Sequence, residues 1–191
     1  MKIFFHSLLI ATILCSCKSV EIVENVVFDY TQFPKLTYLT NSIEINNKYE
    51  PAYEEPFLDH LIDDNPTSRI SGWIESNVKG FGVENKLVIT IEQASISYLN
   101  FKSEKKIAGI SYKPNEVKYD LIYELVFSIY NDSDMRVAHT VVKVTRSTTS
   151  LSSISLYERE QILDDLVYKS LKDLAFKSEE LSKKYLSEYA L

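Results

Sequence analysis

The most constraining feature of this 191-residue chain is a strict alternation of apolar and polar residues over 117–130. One face of an extended segment there would carry Val117, Tyr119, Leu121, Tyr123, Leu125, Phe127 and Ile129. Such alternation is typical of a strand with one buried and one solvated face. A strand of this kind commits the chain to a sheet whose apolar face other elements must cover.

Three further segments predict strands beside this one. Residues 86–101 alternate but change parity between Ile91 and Ala94, which predicts a bulge or bend within one long strand. Residues 36–49 alternate imperfectly and predict a first strand, with Leu39, Ile43 and Ile45 on one side. The polar turn at 131–134 predicts a hairpin between the central strand and a fourth strand.

Two helices are predicted by capping signals and apolar stripes. Asn65 is a favoured N-cap residue, and Pro66 suits the first turn of a helix. The stripe that follows consists of Ile70, Trp73, Ile74, Val78 and Phe81. Gly80 and Gly82 then predict the end of this helix.

The last predicted helix covers 155–188 and opens with the capping-box pattern Ser155-x-x-Glu158. At 1.5 Å per residue it would be roughly 51 Å long, which exceeds the width of a small sheet. Its C-terminal end is therefore expected to overhang. The element order is β-α-β-β-β-α, and the predicted fold class is α+β, with an antiparallel four-stranded sheet covered on one face by two helices.

The N-terminus carries the features of an exported lipoprotein. Lys2 precedes the largely apolar residues 3–14, which as a helix would cover only about 18 Å of a bilayer core of roughly 30 Å. This favours a secretory signal over a membrane span. Leu14, Ser16 and Cys17 then resemble the bacterial lipobox, which implies cleavage before Cys17 and attachment of lipid to its sulfur. The alternative is an ordinary cleaved signal in which Cys15 and Cys17 are incidental.

The lipobox divides the chain into a signal peptide at 1–16, a lipidated N-terminus and short leader at 17–35, and a single α+β domain at 36–191. Removal of Lys2 changes the formal net charge from −6 to −7. This acidic balance argues against nucleic-acid binding. Because Cys15 is removed and Cys17 is consumed, no cysteine remains for a disulfide or a metal site. Lys18, where an aspartate would signal retention at the inner membrane, implies the outer membrane by resemblance to enterobacterial sorting rules.

Candidate catalytic residues are sparse. Asp59, His60, Asp63 and Asp64 are the one place where metal-ligating types crowd together, and they open the possibility of a metal-dependent hydrolase. The favoured interpretation is that these acids precede a helix and interact with its dipole. No nucleophile motif or phosphate-binding loop occurs, so neither an enzymatic activity nor a cofactor is predicted.

A basic loop is the most suggestive binding surface. Between the second and third predicted strands, lysines alternate with apolar side chains at Lys102, Lys105, Lys106, Ile107, Ile110, Tyr112 and Lys113. A loop of this composition could touch anionic lipid or a protein partner. The alternative is a solvated loop whose aliphatic residues pack onto the body.

The lipobox, short leader and β-α-β-β-β-α order together resemble the outer-membrane auxiliary lipoproteins of envelope transport. These are the lipopolysaccharide-assembly lipoprotein and the lipoprotein partners of lipid-trafficking ABC systems. Residues 28–51, His60, Leu61, Trp73 and residues 156–160 are also similar to an uncharacterised proteobacterial lipoprotein family. Neither resemblance supplies catalytic residues.

These resemblances imply a periplasm-facing lipoprotein, anchored in the outer membrane by lipid. It would be a non-enzymatic accessory in envelope biogenesis or lipid transport, with envelope transport or assembly proteins as partners. The main alternative is a general protein-interaction lipoprotein of the periplasm. A working surface is expected at the basic loop and at the overhanging end of the last helix.

Overall fold

The computed structural model describes residues 26–62 and 64–191, and at Ile107 the backbone alone. The predicted signal peptide and Cys17 lie outside the described residues. In chain order the strands and helices are β1 (Leu36–Tyr38), β2 (Ser42–Asn47), α1 (Pro66–Asn77), β3 (Val78–Gly80), β4 (Lys86–Lys102), β5 (Lys105–Ile107), β6 (Ile110–Tyr112), β7 (Asn115–Tyr130), β8 (Arg136–Leu151) and α2 (Leu156–Tyr185).

The main sheet has the strand order β2-β4-β7-β8 and is mixed. The prediction of a wholly antiparallel sheet is wrong at one edge, because β2 pairs parallel to β4, with Ile43 opposite Leu87 and Ile45 opposite Ile89. The chain between these strands contains α1, which returns it to the end of the sheet where β2 began. A connection of that kind produces a parallel pair, whereas a short turn would produce an antiparallel one.

The predicted central hairpins are confirmed. β4 pairs antiparallel with β7 along its whole length, and the register shifts between Ile91 and Gln93, where the sequence predicts a change of parity. β7 pairs antiparallel with β8 across the polar turn at 131–134. The side chain of Asn131 closes that turn, since its amide oxygen accepts hydrogen bonds from the backbone N–H groups of Ser133 and Met135.

The core lies between one face of this sheet and the two helices, so the α+β class is confirmed. The alternating apolar residues of β7 are buried, and they pack with Trp73 of α1 and with Leu171 and Leu174 of α2. Phe127 has no exposed surface, and its ring stacks on that of Tyr38 at a centroid distance of 6.3 Å. Each helix begins where the capping signals predict, with Asn65 and Ser155 as N-caps.

The end of α1 differs from the prediction. The helix stops at Asn77, and the chain enters β3, which pairs parallel with β1 in a separate two-stranded sheet. Phe81 therefore lies outside the helix and is 78% exposed. Gly80 and Gly82 permit a close backbone approach, because a Cβ at either position would lie within 2.7 Å of backbone atoms of the segment between β1 and β2.

The first predicted strand is divided for the same reason. Residues 36–49 form β1 and β2, which pair with different partners on either side of Thr40. Leu39, predicted to share the buried face with Ile43 and Ile45, is exposed at this break. This segment is instead bonded to the part of the chain that follows α1, because the Tyr38 carbonyl accepts a hydrogen bond of 2.7 Å from the Phe81 N–H.

The predicted overhang of the last helix is wrong. The hydroxyl groups of Tyr38 and Ser182 lie 2.6 Å apart in a buried hydrogen bond that ties the end of α2 to β1. Beyond the helix, the Leu39 N–H donates to the Tyr189 carbonyl, and the Leu191 N–H donates to the Thr37 carbonyl. The small sheet of β1 and β3 thus lengthens the surface against which α2 packs, so the helix end does not project beyond the body.

The described part of the leader packs onto the helices. The Arg69 guanidinium lies 3.6 Å from the centroid of the Phe28 ring, which also makes an edge contact with Tyr168. The Asn77 side-chain amide donates hydrogen bonds to the carbonyls of Tyr30 and Phe33. The chain therefore enters the body beside the middle of the helical layer.

Candidate functional site

The basic loop predicted from sequence is a small hairpin that continues the β4–β7 pair. β5 and β6 pair antiparallel, with Lys105 opposite Tyr112, and the turn places both Ala108 and Gly109 at positive φ. Ile110 is 72% exposed and Tyr112 is 40% exposed, so these apolar side chains do not tuck onto the body. We call residues 102–113 the basic hairpin.

The lysines of the basic hairpin differ in their surroundings. Lys105 forms an ion pair with Glu116 of β7, and the side chain of Glu116 is nearly buried. The hydrogen-bonded ion pair with Lys105 holds the pKa of the Glu116 carboxyl below its ordinary value of 4.5. Lys105 therefore fastens the hairpin to the sheet. The remaining three lysines are exposed and have no ion-pair partner among the described residues, namely Lys102, Lys106 and Lys113.

A groove lies at the same end of the sheet as the basic hairpin. There the core face of β4 and β7 extends past α1, and a loop at 53–61 borders it from the edge of β4. The loop is fixed by backbone hydrogen bonds to β4, from the Leu58 N–H to the Ile96 carbonyl and from the Tyr98 N–H to the Pro56 carbonyl. We call this cavity of about 500 Å³ the end groove.

Apolar and aromatic side chains form most of the walls of the end groove. They come from the loop, from the two central strands and from the segment that leads into α2, and they include Phe57, Leu58, Tyr98, Val117, Tyr119 and Ile154. The polar side chains of its lining are Glu55, His60, Asn100, Ser152, Ser155 and Arg159. Tyr98 hydrogen-bonds to Glu55, and this carboxylate raises the pKa of the Tyr98 hydroxyl. His60 lies against the Tyr53 ring and shares a hydrogen bond of 2.9 Å with the Ala52 carbonyl.

Arg159, in the first turn of α2, is the one cationic side chain of the end groove. It is partly buried, and no carboxylate among the described residues lies within ion-pair distance of it. Arg159 also borders a second cavity of about 270 Å³, which contains Asp64, Glu160 and Asp164. Burial, together with the nearby charges of Asp64 and Glu160, raises the pKa of Asp164.

The predicted candidates for metal ligation have separate partners. Asp59 is buried and accepts a hydrogen bond of 2.8 Å from the Tyr49 hydroxyl, while Asp64 forms an ion pair with Arg69 at 2.7 Å. His60 is engaged with the Ala52 carbonyl, and Asp63 lies outside the described residues. Within 26–62 and 64–191, no group of three or more acidic, histidine or cysteine side chains is arranged to hold a metal ion.

The sequence predicts the basic hairpin but does not predict the end groove. The groove arises because a loop broken by Pro51 and Pro56 folds back along the edge of β4, a contact between segments far apart in sequence. One signal was available, since the loop carries Phe57, Leu58 and Leu61 in a stretch that a purely solvated connection would fill with polar residues.

Two solved structures resemble this chain at low sequence identity. No protein-family model and no curated protein matches the sequence. A minor lipoprotein from Acinetobacter baumannii is 11% identical, with a TM-score of 0.38 over 75% of this chain and 92% of its own. A Helicobacter pylori protein described as a neuraminyllactose-binding hemagglutinin homologue is 10% identical, with a TM-score of 0.44 over 86% of this chain and 95% of its own. Neither match assigns the chain to a family.

The two helices were compared with the requirements for a bilayer crossing. Within 26–62 and 64–191, neither α1 nor α2 combines the length and the apolar character that a bilayer crossing requires.

Proposed function

We propose that this chain is a lipid-anchored, non-enzymatic lipoprotein that faces the periplasm from the outer membrane. It serves as an accessory in cell-envelope biogenesis or lipid transport, and its partners are envelope transport or assembly components. The observation that carries the proposal is the joint placement of the basic hairpin and the end groove at one end of the sheet.

The anchor keeps this surface close to a bilayer. Residue 26 is nine positions after Cys17, and a fully extended chain of that length spans at most about 32 Å. The body therefore begins within that distance of the lipidated sulfur. A short tether of this kind gives the body a high effective concentration at the membrane and at proteins within it.

The basic hairpin supplies the chemistry for such contacts. Ile110 and Tyr112 present apolar surface, while Lys102, Lys106 and Lys113 retain charges that no carboxylate of the described residues neutralises. Lysines near an anionic lipid surface contribute about 1 kcal/mol each to association. An apolar tip surrounded by free cations suits an anionic lipid surface or an acidic partner.

Reversal of the three free lysines to glutamate is expected to lower binding at the basic hairpin at least tenfold, or by about 1.4 kcal/mol or more. Lys105 stays unchanged, because a glutamate there would face Glu116 and disturb the hairpin itself. A matched control reverses Lys35, Lys172 and Lys184, which are exposed away from the hairpin. Co-sedimentation of the full-length protein with vesicles that contain phosphatidylglycerol measures the difference. Equal losses of vesicle binding in both triple variants would show that the effect comes from net charge alone and not from the position of the lysines.

Photocrosslinking in cells tests whether the partner belongs to the envelope machinery. A photoactivatable amino acid at Ile110 is expected to capture envelope transport or assembly components, or lipid, that mass spectrometry can identify. The control places the same group at Met135, which is 60% exposed in the turn at the opposite end of the sheet. Capture of unrelated periplasmic proteins would favour a general interaction module, and identical products at both positions would remove the hairpin as the working surface.

A further inference from the structure

The end groove combines apolar walls with one unneutralised cation. Its volume of about 500 Å³ lies within the range of roughly 300–1,000 Å³ that is typical of small-molecule sites, which are mostly apolar with a few placed polar groups. Tyr98, Val117 and Tyr119 form its floor on the sheet, and Leu58 and Ile154 border it from the loop and from the segment before α2. Because polar side chains lie among the apolar ones, this composition suits an amphiphilic ligand better than a wholly apolar or a wholly polar one.

Arg159 supplies the positive charge in the end groove. A partly buried guanidinium is normally paired with a carboxylate, and none of the described carboxylates lies within ion-pair distance of it. Its planar group of donors matches a carboxylate or a phosphate with two parallel hydrogen bonds. Arg159 is therefore available to an anionic ligand.

The surroundings of Arg159 determine on which side an anion would bind. In the smaller cavity Arg69 is paired with Asp64, and the two further carboxyl groups there, Glu160 and Asp164, disfavour an additional anion. In the end groove the acidic side chain is Glu55, which is engaged with Tyr98. An anionic head group is thus directed to the end-groove side of Arg159, from which an apolar tail can follow the aromatic floor.

We propose that the end groove binds a single acyl chain with an anionic head group, the head group on Arg159 and the chain along the core face of β4 and β7, beside the loop at 53–61. This inference rests on the proposed function and deepens it, because it names the ligand class for an accessory of lipid transport.

Photolabelling of the full-length lipoprotein tests this inference. The protein is reconstituted in phosphatidylcholine nanodiscs and exposed to palmitic acid that carries a photoactivatable group, or to hexadecanol that carries the same group. Mass spectrometry is expected to place the adducts of the acid on the walls of the end groove. Arg159→Gln should lower labelling by the acid about tenfold and leave labelling by the alcohol nearly unchanged, since only the acid loses a charge-assisted contact.

Two further variants keep the test decisive. Arg136→Gln removes an exposed arginine at the opposite end of the sheet and should change labelling by neither probe. Val117→Trp should block labelling by both probes, because the larger side chain fills the groove. If Val117→Trp fails to fold by circular dichroism, the comparison of acid with alcohol in Arg159→Gln still decides. Adducts outside the groove, or labelling by the acid that is indifferent to Arg159, would overturn the inference.

The outcome is separable from that of the proposed function. If the groove fails to take either probe while Ile110 still captures envelope components, only the ligand assignment is wrong. If the groove is labelled as expected while Ile110 captures no such component, the accessory role is wrong and an acyl-binding lipoprotein remains.

Discussion

Replacement of Phe127 by alanine is expected to lower the free energy of unfolding by about 3–5 kcal/mol. The ring lies at the centre of β7 with no exposed surface, and it contacts Tyr38 from the smaller sheet. Its removal leaves a cavity where the main sheet and the smaller sheet meet, and the close-packed surroundings can collapse only in part. Equilibrium denaturation in urea measures the change as a lower midpoint with a similar slope.

Phe81→Ala is the matched control, because it deletes the same ring at a position that is 78% exposed. Its expected effect is within about 0.5 kcal/mol, as for most surface substitutions. The pair also tests the end of α1, since a helix that continued through Phe81 would bury this ring against the sheet. A large loss of stability in Phe81→Ala, equal to that in Phe127→Ala, would contradict the packing described above.

Replacement of Cys17 by serine is expected to abolish incorporation of labelled palmitate and retention of the chain in the outer membrane. A hydroxyl group does not serve as the acceptor of the diacylglycerol in the lipoprotein pathway that the lipobox implies. Each buried methylene contributes about 0.8 kcal/mol to membrane association, so loss of two or more acyl chains removes the whole anchor. Metabolic labelling and fractionation of the membranes measure both effects.

Cys15→Ser is the matched control for this prediction. Cys15 lies two residues earlier in the segment that would be removed, and it follows the bulky Leu14. Its replacement should leave palmitate labelling and membrane retention unchanged. If palmitate labelling survives in Cys17→Ser and disappears in Cys15→Ser, the modified residue is Cys15 and the cleavage site lies before it.

Features that depend on local periodicity were predictable from the sequence. The alternation of β7, the parity change at Ile91 and the capping box at Ser155 each reflect interactions within one element or with its immediate neighbour. The position of Ile110 and Tyr112 among lysines in a short connection was also evident, but the sequence left open whether these side chains pack onto the body, and only the structure shows them exposed.

Features that depend on distant segments were not predictable. Val78 and Phe81 continue the helical spacing of α1, and nothing local shows that Gly80 must lie against the Thr40 carbonyl. The parallel direction of β2 depends on where α1 returns the chain. Arg159 resembles in sequence one charge on a solvated helix, and only the folded structure shows it in a groove without a carboxylate partner among the described residues.

Mass spectrometry of the mature N-terminus tests the central claim most directly. The protein purified from membranes is expected to begin at Cys17, with a mass that shows a diacylglycerol on the sulfur and, in the usual form, an acyl group on the new amino terminus. A mature chain that begins at another residue and carries no acyl group would contradict a lipid-anchored envelope accessory.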